Sequence, residues 1–389
     1  MKKLIKSKFF LFSFALFLGA VSSFSLPPYN LFYINFLTFN FFFIFLVKSK
    51  ILESKIDYFF YGWFFGFGYF ISSLYWITIS LTFDSNFTFL IPIALIIIPS
   101  FLSIFFGIPT FVFSYFLNSN SIVLVLIFSL LFGSFEFLRG IILTGFPWNL
   151  FVFSFSNNLS FLQSLSIFGT YGLNLICITF FLIPSIFILK RSNLELVGSI
   201  ILSILLVLFF FHGKHRLSQS DNTVLFDDGL IIKVISSKIE IDRFYNVNKE
   251  IEIINQLIDL TISDKILPTI FIWPEGIFTS TFLKDIKKYK QVFEKNLKKD
   301  DLIILGINDV KFENKKNIYN SLVVLDNKLD VISLYHKNKL VPFGEFLPME
   351  NLLGQIGLKK VTNNYQSFTK GTMRKIIDIK NLKILPLVC

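Results

Sequence analysis

Charge is scarce in this sequence: Asp, Glu, Lys and Arg make up 16% of its 389 residues, against about 25% in an ordinary soluble domain. A plain water-soluble globule is thereby excluded. Cysteine is scarcer still. Cys177 and Cys389 are the only two, too few for a disulfide scaffold and without the CxxC or Cys/His spacing of a zinc or haem site. Three histidines, His212, His215 and His336, come with no paired carboxylate motif, so no metal site is expected. No phosphate-binding loop is present either, because Gly66-Phe67-Gly68 lacks the third glycine and lies within an apolar run. The net charge of +11 is not gathered into a basic stripe interleaved with aromatics, which argues against nucleic acid as a partner.

What is abundant is hydrophobic surface, 53% of residues including 54 Phe, and it is unevenly placed. Residues 1–211 hold 10 of the 37 Lys and Arg and 5 of the 26 Asp and Glu, leaving 27 and 21 for residues 212–389. The change near His212 predicts a membrane domain over 1–211 and a soluble domain over 212–389. A bilayer core of about 30 Å needs roughly 20 apolar residues in helical form. Seven such runs are expected, at 9–25, 31–47, 58–81, 88–117, 121–143, 161–189 and 195–211. Lys2, Lys3, Lys6 and Lys8, then Lys48, Lys50 and Lys55, then Lys190 and Arg191 fall in alternate loops, while 26–30, 82–87 and 144–160 contain no basic residue. Positive residues flanking spans stay in the cytoplasm. The N-terminus is therefore expected inside and the soluble domain outside the cytoplasm. The first run also fits a cleaved signal peptide, which would leave the downstream orientation unchanged. Within the spans, Glu136 and Arg139 lie three apart and fit a mutual ion pair on one helix face, and Cys177 fits an apolar filler.

Beyond His212, short strand-like runs alternate with charged helical stretches. Strands are expected at 230–236, 269–273, 302–307, 320–325, 331–335, 375–379 and 383–388, and helices at 247–262 and 283–297, a pattern of α/β type with reactive groups at strand ends. Three strand ends carry chemistry. Ile272-Trp273-Pro274-Glu275-Gly276 presents a carboxylate directly after an apolar strand, on a turn fixed by Pro and Gly, where a burial-prone Glu can act as a base. Tyr335-His336-Lys337-Asn338-Lys339 leads into Val341-Pro342-Phe343-Gly344-Glu345, and Leu385-Pro386-Leu387-Val388-Cys389 ends in a thiol. Singly, each has a bland reading as a solvated end or a core residue. Together they supply a base, a cation for thiolate and oxyanion, and a nucleophile.

These three elements resemble the carbon-nitrogen hydrolase (nitrilase) superfamily. Joined to a seven-span membrane half with Phe135-Glu136-Phe137-Leu138-Arg139 and Gly145-Phe146-Pro147-Trp148, the whole resembles the apolipoprotein N-acyltransferase family. The resemblance implies a nitrilase-like α-β-β-α sandwich, with Glu275 as general base, Lys337 as oxyanion-stabilising cation, Cys389 as nucleophile and Glu345 as a supporting acid. Trp273 and Phe244 are implied to contact lipid substrate, Phe244 standing where the family carries tryptophan. The implied reaction moves an acyl chain from a membrane phospholipid to Cys389 and then to the N-terminal amine of a diacylated apolipoprotein, without cofactor. The implied location is the bacterial inner membrane, with the soluble domain on the periplasmic side. A membrane-tethered amidase or nitrilase shares the triad. Family members continue past the nucleophile, so a C-terminally truncated chain with an incomplete sandwich is expected, and an inactive remnant is the other reading.

Overall fold

A computed structural model describes residues 7–82, 85–189, 192–220, 229–239, 249–264, 266–312, 316–342, 344–346, 367–380 and 382–388. The chain divides into two compact units, Met1–Val224 and Leu225–Cys389.

The first unit is helical. Its elements are α1 (Lys8–Ser22), α2 (Ile34–Lys48), α3 (Lys55–Leu74), α4 (Ile91–Phe113), α5 (Ser121–Arg139), the short α6 (Leu159–Leu162), α7 (Leu165–Phe181), α8 (Ile183–Leu189) and α9 (Asn193–Ser220). Among the described residues, six helical stretches are long and apolar enough to cross a membrane. The second expected span differs: α2 has 15 residues, about 22 Å at 1.5 Å per residue, and buries Phe39, Phe42 and Phe43 inside the bundle. The chain is a multi-pass membrane protein.

Named contacts fix which helix ends lie together. Lys8 pairs with Asp57 at 2.9 Å, bringing the starts of α1 and α3 to one end, so α2 runs back between them. Lys55 lies 3.1 Å from the centre of the Tyr115 ring, placing the end of α4 there too. Glu195 accepts from the Ser121 amide at 2.7 Å, which joins the starts of α9 and α5. Helices approach closely where side chains vanish: a Cβ on Gly68 would lie 2.0 Å from the Leu16 carbonyl oxygen, so α1 and α3 touch backbone to backbone. α9 continues through the expected junction at His212 to Ser220, because the fall in hydropathy there brings no proline to end the helix.

The second unit is built on a five-stranded mixed sheet in the order β1-β2-β3-β4-β5, formed by β1 (Ile231–Val234), β2 (Thr269–Ile272), β3 (Leu302–Phe312), β4 (Lys316–Asp326) and β5 (Val331–His336). β1, β2 and β3 are parallel, while β3, β4 and β5 are antiparallel. Helices α10 (Lys249–Leu260) and α11 (Lys290–Asn296) supply Ile253, Ile254, Leu257 and Phe293 to a core with Phe271, Ile303, Leu305 and Val323. A two-stranded ribbon, β6 (Ile377–Ile379) and β7 (Leu382–Ile384), covers Ile270, Ile304, Val324 and Tyr335 on the other face. Alternation along β2 sends Ile270 to one core and Phe271 to the other, as a strand buried on both faces requires. The expected strand 383–388 stops at Ile384, since Pro386 cannot donate to a ladder.

Candidate active site

β2 ends at Ile272, and the Trp273 amide donates to Ile304 O at 2.9 Å, carrying the β2–β3 pairing one residue further. Gly276, at φ +72, then turns the chain, a conformation that favours glycine. Glu275 is exposed on this turn. It lies beside β3, where a Cβ on Gly306 would be 3.6 Å from both its Cα and Cγ.

Lys337 follows β5 directly. Its amide donates to Asn320 O at 2.8 Å, which extends the β4–β5 ladder and sets the side chain over β4. The side chain is 3% exposed and its Nζ donates to Glu345 Oε1 at 3.0 Å. The other oxygen, Glu345 Oε2, accepts from the Val341 amide at 2.8 Å. The buried ammonium thus has a carboxylate partner that is itself mostly covered, as burial of charge demands. Lys339, the neighbouring lysine, is exposed.

Asn320 joins the two carboxylates. Its Nδ2 donates to Glu345 Oε1 at 2.8 Å and, more weakly, to Glu275 Oε1 at 3.4 Å. Glu275, Asn320, Glu345 and Lys337 therefore form one connected polar chain that links the ends of β2 and β5 across the middle of β4. Sequence reasoning missed Asn320. The available signal was an asparagine inside a strand, where that residue is depleted, paired in register with a second one, Asn308.

Residues 368–372 bind this site to the rest of the unit. The Phe368 amide donates to Glu345 O at 2.8 Å and the Gly371 amide to Lys337 O at 2.9 Å. Asn338 Nδ2 donates to the carbonyls of Gly371 and Thr372 at 2.8 and 3.0 Å. Val388 packs against the core formed with Ile304 and Tyr335. Cys389 and Phe244 lie outside the described residues.

Trp273 does not join the cluster. It is 4% exposed, its indole donates to Thr261 Oγ1 at 3.0 Å and its ring centre is 5.3 Å from that of Phe293. With Phe271 it points toward the helices, because residues two apart on a strand share a face. It is a core residue of this unit.

In the membrane unit, the expected Glu136–Arg139 pair forms at 3.4 Å with both side chains fully buried. Arg139 Nη1 also donates to Phe146 O and Trp148 O at 2.7 and 2.8 Å, while Asn174 donates to Glu136. This network ties the 146–148 segment to the end of α5 and the middle of α7. Among the described residues, no three His, Cys, Asp or Glu side chains gather to hold a metal ion.

The sequence profile described as "Apolipoprotein N-acyltransferase N-terminal domain" matches residues 18–183. The apolipoprotein N-acyltransferase of Rhodopseudomonas palustris is 29% identical over 96% of this chain and 72% of its own length. The chain belongs to the apolipoprotein N-acyltransferase family. The Brucella melitensis member is 27% identical over 95% of this chain and 72% of its own length, and the Rickettsia typhi member 32% identical over 85% and 65%. Family membership extends across both units, since the Rhodopseudomonas alignment covers nearly the whole chain.

Proposed function

We propose that this chain carries the acyl-transfer site of an apolipoprotein N-acyltransferase, with Glu275, Lys337 and Cys389 as base, oxyanion cation and nucleophile. The observation that carries the reading is the polar chain Glu275–Asn320–Glu345–Lys337, which gathers residues 70 positions apart in sequence around the ends of β2 and β5 and the middle of β4. Glu275 takes the thiol proton as Cys389 Sγ attacks a phospholipid ester carbonyl. The developing oxyanion is stabilised by the Lys337 ammonium, whose charge Glu345 holds in place. Collapse releases the lysophospholipid, whose alkoxide recovers the proton from Glu275, and leaves a thioester on Cys389. The N-terminal amine of a diacylated apolipoprotein then attacks the thioester and loses its proton to Glu275, and the freed thiolate is reprotonated. Lipid anchoring of both substrates raises their effective concentration at a membrane-held site.

The soluble unit is assigned to the extracytoplasmic face of the bacterial inner membrane. The starts of α1, α3, α5 and α9 share one end of the bundle or are linked to it, and the Lys-rich and Arg-containing loops adjoin those starts. That pattern supports a cytoplasmic position for this end, which leaves the end of α9 and the following unit outside. The test is to incubate the chain in vesicles with phospholipid and a synthetic diacylated lipopeptide and to follow peptide mass. A gain of one acyl chain, reduced at least about 10²-fold by Lys337→Met and abolished by Cys389→Ser, supports the reading; transfer unaffected by Cys389→Ser overturns it.

A further inference from the structure

We propose that Glu250 is a positioning residue for Glu275, clamping the chain that carries the candidate base; the assignment rests on reading Glu275 as that base. Glu250 lies in the first turn of α10 and is 2% exposed. Its Oε2 accepts from the Ser280 amide at 2.7 Å, Ser280 Oγ at 2.9 Å and the Thr281 amide at 3.2 Å. Its Oε1 accepts from the Tyr289 hydroxyl at 2.7 Å and from the Thr281 hydroxyl, with Lys288 Nζ 3.7 Å away. All these donors belong to the stretch that follows the Glu275 turn.

The upstream side of the turn is held from the opposite end of the same helix. Thr261 immediately follows α10, bonds back to Leu257 O at 2.7 Å and accepts the Trp273 indole at 3.0 Å. The Trp273 amide is fixed to β3 at Ile304, and Ile277 and Phe278 are buried between the two anchors. α10 thus acts as a splint, tied through Thr261 to residue 273 and through Glu250 to residues 280 and 281, with Glu275 on the span between them. A carboxylate suits this role because two backbone amides and three hydroxyls converging on two oxygens fix orientation as well as distance. Burial pushes the Glu250 carboxyl up, and the hydrogen bonds from Thr281, Ser280 and Tyr289 outweigh it, holding the group below the usual carboxylate range. The charged form is the one this cradle is built to hold.

The experiment measures iodoacetamide alkylation of Cys389 in the full chain between pH 5 and 9, with peptide mass spectrometry separating Cys389 from Cys177. Glu275→Gln is expected to slow alkylation at pH 6 about tenfold by removing the proton acceptor. Glu250→Ala is expected to reproduce that profile, and the double variant to be no slower than Glu275→Gln alone. Glu250→Gln is expected to restore the rate to within about threefold, since its oxygen still accepts both amides while the Thr281 and Tyr289 hydroxyls reverse to accept from its NH2 group. Glu250→Asp, which keeps the charge but shortens the reach, is expected to fall between them and serves where Glu250→Ala does not fold. A parent-like profile for folded Glu250→Ala or Glu250→Asp, or effects that multiply in the double variant, would overturn the assignment. A parent-like profile for Glu275→Gln would instead remove the base itself, and the positioning role with it.

Discussion

Replacing Lys337 with Met probes the most deeply buried part of the candidate site. The side chain is 3% exposed and its ammonium is 3.0 Å from Glu345 Oε1. At that separation and an effective dielectric near 20, the gross attraction is about 5 kcal/mol, most of it offset by the cost of taking both ions out of water. Methionine keeps the length of the stem and removes the charge. Glu345 is left with the Asn320 amide and the Val341 N–H. Removing one partner of a buried pair costs about 3–5 kcal/mol, and the two surviving donors place this case at the lower end, about 3 kcal/mol. Glu345→Gln strands the ammonium at comparable cost, whereas the double variant leaves no unpaired charge and is expected to cost about 1 kcal/mol. With single costs of about 3 kcal/mol each and a double cost of about 1, the double-mutant cycle should therefore show coupling of about 5 kcal/mol. Hydrogen–deuterium exchange of β4 and β5 in the detergent-solubilised chain reads this out locally, with roughly 10²-fold faster exchange in each single variant under conditions where reclosing is faster than intrinsic exchange. Single-variant costs below about 0.5 kcal/mol, or costs that simply add, would refute the buried, coupled pair.

Three further outcomes are expected. Gly68→Val should lower thermal stability of the membrane unit by about 1–3 kcal/mol, because the added carbons meet the Leu16 backbone; unchanged melting would contradict the close α1–α3 contact. His336 is held below its ordinary pKa by partial burial, with Lys311 acting in the same direction and Asp309 opposing, and it touches Ser321 Oγ at 2.8 Å and stacks on Tyr319. The unfolded chain then binds the proton more readily, so this contribution to stability is complete above about pH 6.5 and is lost as pH falls through the lower folded-state value. His336→Gln should flatten that slope in melts of the chain between pH 5 and 7.5, and an unchanged slope would count against it. Asn320→Leu removes the bridge between Glu275 and Glu345 and should reduce acyl transfer about tenfold or more with little change in apparent lipid affinity; a pure loss of affinity would show that Asn320 acts elsewhere.

Much of the architecture was legible because long apolar runs and strand alternation are local signals. The lysines in alternate loops foretold which helix ends gather, and Lys8–Asp57 shows one such end directly. Local signals failed where tertiary contacts decide. That α2 buries Phe39, Phe42 and Phe43 inside the bundle is such a case. The charge change at His212 marked the end of apolar sequence, not the end of α9. Trp273 belongs to a strand-end motif, yet strand parity carries it into the core. Glu275, Lys337 and Glu345 stood out as charges at strand ends, whereas Asn320 and Glu250 carry no motif and become visible only through the partners that the fold brings to them.

The central claim, that Cys389 receives an acyl chain from phospholipid, is tested most directly by incubating the chain with a phospholipid of defined acyl mass and mapping its two cysteines by mass spectrometry. The account predicts a hydroxylamine-labile acyl mass on Cys389, absent from Cys177 and strongly diminished in Glu275→Gln and Lys337→Met. A Cys389 that stays unmodified in lipid, or an adduct formed equally well without Glu275 and Lys337, would contradict it.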